Sequence, residues 1–345
     1  MSTIPRTHFT TDGISPKDRF DVFRDSMSVI FDVELEKTRD PQPFKAEVEA
    51  YMLDQLMIAR TSSIKASYIR NPLTIRRDGI DMIMVQLYIK GEEDFRHENQ
   101  SSHVKTGDLV VYDLNKEVVN STSDFTNLSV VFPRELIESY IPAVSRWHSR
   151  VLPRDRPLTK LLKAHILSLY EIAPAITTES CAGIQRALLE LTSSALQHSS
   201  DILPAYKNSV TSSLLLEIKK WINSHLADPS LSADSIGLAF SLSRAQLYRV
   251  TEPLGGIMNH IREQRLKKTY SDLRDPALIH LTVSDVLYRW GFNDPNTFTR
   301  SFKKRFSMLP KDVKNLPHAQ LSENSSNHSN SSGDGYDDWL RSLSL

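Results

Sequence analysis

The 345-residue sequence contains one cysteine, Cys181, and only 11 glycines. A single thiol excludes a disulfide framework and any zinc site built on paired cysteines, and it favours a reducing compartment, for which the cytoplasm is the simplest expectation. Scarce glycine disfavours phosphate-cradling loops, and no Walker loop, dinucleotide fingerprint, GxSxG elbow or HExxH motif occurs. We expect Cys181 to pack in a core rather than act as a nucleophile.

Long apolar runs are also missing. No stretch approaches the roughly 18 consecutive apolar residues of a membrane span. The first residues, MSTIPRTHFTTDG, lack the apolar core of a signal peptide. We therefore expect no membrane association, and at roughly 150 residues per domain the length predicts two domains.

Net charge is zero, but the charge is sorted along the chain. Residues 208–317 hold 16 basic and 10 acidic side chains, whereas the remainder holds 26 basic and 32 acidic ones. A basic third beside an acidic remainder points to a polyanionic partner for the C-terminal region.

The region 1–156 reads as one helix followed by extended segments. Ser15 is the expected N-cap with Pro16 at the first helical position, and apolar residues recur at helical spacing at Phe20, Phe23, Met27 and Ile30. Runs rich in β-branched and aromatic residues then begin at Phe44, Asp81, Gly107 and Phe125. Strands at this spacing without intervening helical periods predict an antiparallel barrel or sandwich.

Helical periodicity returns in residues 157–200. Two apolar stripes contain Leu158, Leu161, Leu162, His165, Ile166 and Leu169, then Ile184, Leu188, Leu191 and Leu196. Such helices either cap the same domain or pair with those of a second subunit. The stretch 201–208, around Pro204, reads as a linker, and the Ser- and Asn-rich stretch 318–345 as a disordered tail.

Residues 209–317 contain a duplicated helix-turn-helix pattern. In LSADSIGLAFSLSRAQLYRV two short helices meet near Ser241, and Ser243 opens the second. In LTVSDVLYRWGFNDPNTFTRSFKKRF the break falls at Gly291, and Asp294 opens the second helix with Pro295 behind it. Two such units are far more specific to DNA binding than one, because short amphipathic helices mimic a single unit often.

The major groove of DNA admits one α-helix, whose outward side chains read base edges or contact phosphates. The expected anchors of the second helices are Leu242, Leu247 and Tyr248 in the first unit and Phe298, Phe302 and Phe306 in the second. The candidate DNA-binding residues on the remaining faces are Arg244, Ala245, Gln246, Arg249, Asn296, Thr297, Arg300, Lys303 and Lys304. Base reading is expected of Gln246, Arg249, Asn296 and Arg300, and phosphate contact of Lys303, Lys304 and Arg305.

The run from Ile218 to Lys314 resembles the paired helix-turn-helix domain of the AraC/XylS family of transcriptional regulators. Its second unit, GFNDPNTFTRSFKKRFSMLP, has the family's Gly-Phe after the short helix, the ending Phe-Lys-Lys-x-Phe and a proline four residues later, Pro310. More weakly, QLYIKGEEDF, GDLVVYDL and LSVVFPRE resemble the cupin-like sensor barrel of one branch of that family. The first unit departs from the pattern, because Ser241 replaces the usual turn glycine and Thr251 the usual anchoring aromatic residue.

The resemblance implies an α+β two-domain protein: a cupin-like effector-sensing domain at 1–156, a helical dimerisation segment at 157–200, a linker at 201–208, the double helix-turn-helix domain at 209–317 and the tail at 318–345. It implies a sequence-specific transcriptional regulator rather than an enzyme, without cofactor or metal. The implied regulator is an effector-responsive activator that acts as a homodimer on promoter DNA with RNA polymerase. A small effector in the barrel would shift the dimer toward its DNA-competent arrangement.

Two alternatives stay open. One is a metal-dependent cupin-type enzyme with a helical appendage, for which His97 and His103 near Glu93 and Glu98 are candidates, although they lack a closely spaced His-x-His pair followed by a carboxylate. The other is a constitutive regulator whose barrel only dimerises. The residues considered for an inward-facing position are Arg60, Arg70, Arg76, Tyr88 and His97.

Overall fold

A computed structural model describes residues 3–35, 43–78, 80–97, 100–141, 143–198, 209–306 and 308–315. The chain divides into two compact units, whose described parts fall within 3–198 and 209–315. The expected linker 201–208 and tail 318–345 lie outside the described residues. The predicted α+β organisation, with a β-rich first unit and a helical second unit, is confirmed.

Twelve strands are described in the first unit: β1 (Arg6–Thr10), β2 (Asp32–Glu34), β3 (Ala46–Leu53), β4 (Leu56–Ser63), β5 (Ser67–Arg70), β6 (Met82–Lys90), β7 (Glu93–His97), β8 (Gln100–Val104), β9 (Leu109–Asp113), β10 (Val118–Thr122), β11 (Phe125–Pro133) and β12 (Arg150–Leu152). They form a sheet of order β1-β3-β4-β11-β6-β9-β12 and a smaller one of order β2-β5-β10-β7-β8. Every neighbouring pair is antiparallel, for instance Val130 opposite Ile58 and Val85. The four predicted runs correspond to β3, β6, β9 and β11.

The large sheet is buried on both faces. Along β6, Met82, Met84 and Tyr88 face the core between the two sheets, whereas the intervening Ile83 and Val85 face a second core on the outer side. Successive side chains of a strand point to opposite faces, so a strand buried on both reads as an unbroken apolar run. This explains the sequence DMIMVQLYI.

Among the described residues of this unit, five α-helices accompany the sheets: α1 (Arg19–Met27), α2 (Pro72–Asp78), α3 (Arg134–Glu138), α4 (Pro157–Ile172) and α5 (Cys181–Gln197). The sequence places the start of α1 too early, because residues from Ser15 to Asp18 form a turn closed by a bond from Asp18 N to Ser15 O of 2.9 Å. Phe23 and Met27 are buried as predicted. The first N–H groups of a helix have no partner within the helix. Here the turn pairs one of them, Asp18 N–H, with Ser15 O, and the helix begins after Pro16 rather than at it.

Helices α4 and α5 cover the outer face of the large sheet. Leu162 and Leu188 are fully buried in the core there, and Cys181 packs in it at 4% exposure. Burial raises the pKa of the Cys181 thiol, which agrees with the expected packing role. Leu161 of the expected stripe faces outward instead, at 56% exposure, and Ile172 at the end of the same helix is 51% exposed.

Glu49 on β3 ties α4 to the sheet. Its carboxylate accepts hydrogen bonds from Tyr170 of α4, from Arg6 at 2.8 Å and from Tyr51 at 2.9 Å. Burial opposes ionisation of Glu49, but these hydrogen bonds outweigh it and hold the pKa of the carboxyl below its usual value.

The second unit is helical: α6 (Ser209–Ser224), α7 (Ala233–Ala239), α8 (Arg244–Thr251), α9 (Ile257–Arg274), α10 (Val283–Arg289), α11 (Pro295–Phe306) and α12 (Pro310–Lys314). Helices α7 and α8 form the first predicted helix-turn-helix, and α10 and α11 the second. Each pair has its own apolar core, and Trp290 packs against both cores. On the long helix α9, Ile257 and Ile261 are buried, whereas Met258 is 43% exposed.

Candidate DNA-binding surface and ligand cavity

The first helix-turn-helix is built by capping side chains. The Ser243 hydroxyl accepts a bond from Gln246 N at 3.3 Å, while the Gln246 side chain accepts one from Ser243 N at 2.9 Å, which forms a capping box at the start of α8. Ser241 lies in the left-handed region with φ of 53°. The turn therefore requires the conformation that glycine adopts without strain, although serine occupies it.

On α8 all four predicted residues are exposed: Arg244, Ala245, Gln246 and Arg249. These four side chains are not equally available for contact with DNA. Arg244 makes two hydrogen bonds, of 2.9 and 2.8 Å, to the carboxylate of Asp234 on α7, and this contact lowers the pKa of Asp234. The Gln246 amide is engaged in its cap, whereas Arg249 has no hydrogen-bond or ion-pair partner within the described residues.

The second helix-turn-helix repeats the geometry with glycine at the turn. Gly291 has φ of 70°, and its N–H donates to Tyr288 O at 3.1 Å. Asp294 caps α11 by accepting bonds from the N–H groups of Asn296 at 3.0 Å and Thr297 at 3.1 Å. The N-cap assignments made from the sequence for α8 and α11 agree with these bonds.

All five predicted residues of α11 are exposed: Asn296, Thr297, Arg300, Lys303 and Lys304. The Thr297 hydroxyl bonds back to Asp294 and accepts a bond of 3.3 Å from Arg300. Phe298, Phe302 and Phe306 are fully buried on the opposite face, as predicted. Asn296, Lys303 and Lys304 project from the exposed face with no side-chain partner in the part of the chain that the structure describes.

Two expectations about neighbouring residues were wrong. Tyr248 is 53% exposed rather than an anchor, because Leu247, Val250 and Thr251 fill the buried side of α8. Arg305 is 14% exposed and donates to Glu263 on α9 at 2.9 Å, so it holds α11 to α9 instead of pointing outward. Tyr248 belongs to the exposed face and is a residue that sequence reasoning missed. Its position one helical turn after Arg244 was the available signal.

One arginine on α9 links the segment after α6 to the turn of the second helix-turn-helix. Arg265 donates to three backbone carbonyls: Leu226 O at 2.9 Å and Asp228 O at 2.6 Å after α6, and Gly291 O at 2.9 Å in the second turn. Burial lowers the pKa of Arg265. A side chain with three fixed donors thereby ties the end of α6 to the second turn.

The first unit contains a narrow cavity between its two sheets. The cavity has a volume of about 30 Å³, which is enough to hold a water molecule. The lining comprises Met27, Ile30, Phe31, Thr61, Tyr68, Met84, Gln86, Tyr88, Asn120, Thr122, Phe125, Asn127 and Ser129. The lining combines apolar and aromatic side chains with hydroxyl and amide groups, a mixture that small-molecule sites also use.

Of the residues considered for an inward position, Tyr88 lines the cavity. Arg70 is fully buried but donates to the backbone carbonyls of Leu114 at 2.6 Å and Ile30 at 2.7 Å. Arg60 is paired with Glu47 at 3.4 Å on the partly exposed side of β4. The side chains of Arg76 and His97 lie outside the described residues.

The possible metal ligands do not converge. Glu93 is fully buried inside the barrel, whereas the exposed His103 pairs with Asp94 at 2.9 Å and Glu92 at 3.1 Å. Glu98 lies outside the described residues. Within the described ranges, no group of three or more His, Cys, Asp or Glu side chains is placed to hold a metal ion. Nor does any described helix have the length and apolar character to cross a membrane.

A chain that combines a pair of capped helix-turn-helix units with a separate β-rich unit containing a cavity has the architecture of a ligand-responsive transcription regulator. Family models agree: an AraC-binding-like domain matches residues 27–197 and a helix-turn-helix domain matches 238–315. The chain belongs to the AraC family of transcriptional regulators.

Individual relatives are distant. The chain is 21% identical over 234 residues to an uncharacterized protein in the nit 5′ region of Bacillus sp. strain OxB-1, covering 67% of this chain and 90% of that one. It is 31% identical over 96 residues to the transcriptional activator RhaS of Escherichia coli, covering 27% of this chain and 33% of RhaS. The crystal structure of the AraC-like transcriptional activator CuxR superposes with a TM-score of 0.55 at 21% identity, covering 83% of this chain and 100% of CuxR. This likeness shows a shared fold.

Proposed function

We propose that this protein regulates transcription by binding promoter DNA as a homodimer, with α8 and α11 entering successive major-groove segments. The supporting observation is that all nine predicted contact residues are exposed on two helices whose opposite faces are buried. A recognition helix of a helix-turn-helix enters one major-groove segment, so two such helices suit two segments.

The proposal includes activation of transcription and action in the cytoplasm. RhaS and CuxR are both described as activators, which supports activation and contact with RNA polymerase. DNA binding supports action in the cytoplasm, and the barrel acts as a sensor rather than as a catalyst. The exposed Leu161 and Ile172 on α4 are the proposed dimer contact, since apolar side chains exposed on one helix face favour association.

The test is selection of bound duplexes from a random pool by the full-length protein at near-physiological salt. We expect a bipartite motif bound about a thousandfold more tightly than a scrambled duplex. Absence of any enriched motif, both alone and after addition of cellular metabolites, would contradict the proposal.

Two substitutions then separate the roles of residues on α11. Arg300→Ala should relax preference at one base position at a cost of about 1–3 kcal/mol, whereas Lys304→Ala should weaken all sequences alike and lower the salt slope by about one. Lys17→Ala removes an exposed positive charge from the first unit and serves as control. Equal loss of specificity from Arg300→Ala and Lys304→Ala would refute the assignment.

A further inference from the structure

The second unit has two apolar cores, one behind α8 and one behind α11. The first core includes Leu247, Ile257 and Ile261, and the second includes Leu266 and Phe302. Helix α9 contributes to both cores, because Ile257 and Ile261 lie near its start and Leu266 lies further along it. Long helices bend, so contacts beside α9 decide how firmly α8 and α11 are held relative to each other.

Trp290 makes such a contact. Its side chain is partly buried and packs against both cores. Trp290 lies between Arg289, the last residue of α10, and Gly291, the left-handed residue of the turn that leads to α11. Because interiors are closely packed and an indole ring is rigid, a rotation of one core relative to the other must displace this ring.

Asp272 on α9 orients the indole. The Nε1–H group of Trp290 donates a hydrogen bond to Asp272 Oδ2 at 2.9 Å, and Arg289 Nε lies 3.5 Å from the same oxygen. The Asp272 side chain is 13% exposed, so little water competes for this charged acceptor, and hydrogen bonds to charged acceptors are the stronger ones. Arg265, also on α9, donates to Gly291 O at 2.9 Å. Two side chains of α9 therefore hold the turn before α11.

The relative position of α8 and α11 matters because base pairs follow a helical path. We call the base pairs read by α8 and by α11 of one copy the two half-motifs. One base pair added between them shifts one half-motif by about 3.4 Å and rotates it by about 35° relative to the other. A recognition helix that cannot follow this movement loses a base contact, which lowers the affinity about tenfold or more.

We infer that Trp290, oriented by Asp272, is a positioning residue for DNA recognition: it holds α11 relative to α8 and so determines which separation of the half-motifs the protein accepts. This inference rests on the proposed function, in which α8 and α11 enter successive major-groove segments. It assigns part of the specificity to a residue packed against the cores rather than to the exposed faces of α8 and α11.

The test begins with the duplex selected by the full-length protein. The half-motifs are located as the positions at which Arg249→Ala and Arg300→Ala relax base preference. Fluorescence anisotropy then compares this duplex with two others, in which one base pair is inserted or deleted between the half-motifs. The unaltered protein should bind both altered duplexes at least about tenfold more weakly. This ratio of affinities does not depend on the fraction of protein that is folded.

Two substitutions should lower the ratio. Trp290→Phe removes the hydrogen bond to Asp272 and part of the contact with the cores, and Asp272→Ala removes the acceptor while leaving the indole in place. In both variants the ratio should fall to about threefold or less, because α11 can shift at a lower cost once the bond to a charged group is lost.

Matched controls should keep the ratio of the unaltered protein. Trp221→Phe makes the same substitution at a partly buried tryptophan that packs against the first core. Glu217→Ala removes an exposed negative charge from α6 and so controls for the change in net charge made by Asp272→Ala.

The ratio separates positioning from a purely structural role. An equal loss of affinity at all three separations in Trp290→Phe and Asp272→Ala would make Trp290 purely structural and overturn the inference. Equal binding of the three duplexes by the unaltered protein would overturn it as well. If Trp290→Phe does not fold, the ratio in Asp272→Ala decides.

Failure here is distinguishable from failure of the proposed function. Two located half-motifs with the same ratio in every variant refute the role of Trp290 alone. If no duplex is enriched, or if neither Arg249→Ala nor Arg300→Ala relaxes base preference, the proposed function fails and the role of Trp290 falls with it.

Discussion

The two turns of the second unit provide a matched pair of substitutions with opposite expected effects. Ser241 and Gly291 occupy corresponding positions, with φ of 53° and 70°. In both turns the next N–H reaches back to the preceding helix, from Leu242 to Gly237 O at 2.8 Å and from Phe292 to Leu287 O at 3.1 Å. We expect Ser241→Gly to stabilise the unit and Gly291→Ala to destabilise it.

The expected changes in the free energy of unfolding follow from the backbone conformation at each turn and from the space around it. A left-handed conformation costs a non-glycine residue about 1–2 kcal/mol, and glycine's greater freedom in the unfolded chain offsets about 0.5–1 kcal/mol. Ser241→Gly should therefore add about 0.5–1 kcal/mol to the free energy of unfolding.

Gly291→Ala adds a steric conflict. A Cβ at this position would lie 2.8 Å from Arg265 Nη2 and 3.2 Å from Leu226 O, so the guanidinium must move and its three carbonyl contacts weaken. A hydrogen bond to a charged group contributes about 1.5–3 kcal/mol net of water, and the Arg265 contacts are weakened rather than lost, so the total loss should be about 2–3 kcal/mol.

The assay is urea unfolding of the full-length protein followed by pulsed hydrogen exchange, which assigns a free energy to peptides from α9 to α11. Peptides from the first unit serve as the internal control, since neither substitution lies in it. Destabilisation by Ser241→Gly, or a loss below about 1 kcal/mol for Gly291→Ala, would refute the role assigned to the left-handed turn and to Arg265.

Three further predictions concern charge and association. Asp234→Asn should release Arg244, so that the protein binds duplexes of any sequence more tightly and the affinity depends more steeply on salt concentration. Fluorescence anisotropy measures both effects. An unchanged slope of affinity against salt concentration would show that the Arg244–Asp234 pair does not face DNA. The pKa of Glu49 lies below its usual value of 4.5, so its ionised form stabilises the fold above pH 4.5, and this contribution is lost as the pH falls through the folded pKa. In a plot of the urea unfolding midpoint against pH, Glu49→Gln should therefore reduce the fall at acidic pH. A plot identical to that of the unaltered protein would contradict this prediction. Replacing Leu161 and Ile172 together with glutamate should yield monomers in sedimentation without a lower Tm, and a persistent dimer would place the contact elsewhere.

The elements that the sequence predicted well are those with strong local signals. Ser243 and Asp294 have side chains that can accept backbone N–H groups, so the starts of α8 and α11 are readable from a few residues. The strand β6 is predictable from the sequence because both of its faces are buried, which makes it an unbroken apolar run. In each case a short stretch of sequence carries enough signal to predict the feature.

Errors arose where two local solutions compete. The sequence around Ser15 and Pro16 suits both a helix start and a turn, and the turn was adopted. On α8 the alternation of apolar residues allowed Leu247 to be buried with either Tyr248 or Val250. The core of the first helix-turn-helix decides in favour of Val250, which is 8% exposed, because only tertiary packing distinguishes these faces.

Partners brought together from distant positions are not readable from one sequence. Glu93 was weighed as a metal candidate because it is near His103 in sequence, yet alternation along β7 points it into the barrel, where Tyr112 and Asn120 hold it. No spacing rule joins these three residues, since their proximity depends on the pairing of several strands. The surroundings of Glu93 therefore became known only with the fold.

The same limit applies to the DNA-binding surface. Helical spacing placed the nine candidates on exposed faces, but it could not show that Arg244 is paired with Asp234 or that Arg305 is paired with Glu263. An arginine in an exposed ion pair must exchange that partner for a phosphate or base, whereas Arg249 has no described partner to lose. Binding free energy should therefore come more from Arg249, Lys303 and Lys304 than from Arg244, because replacing one counterion by another gains less than pairing a free cation.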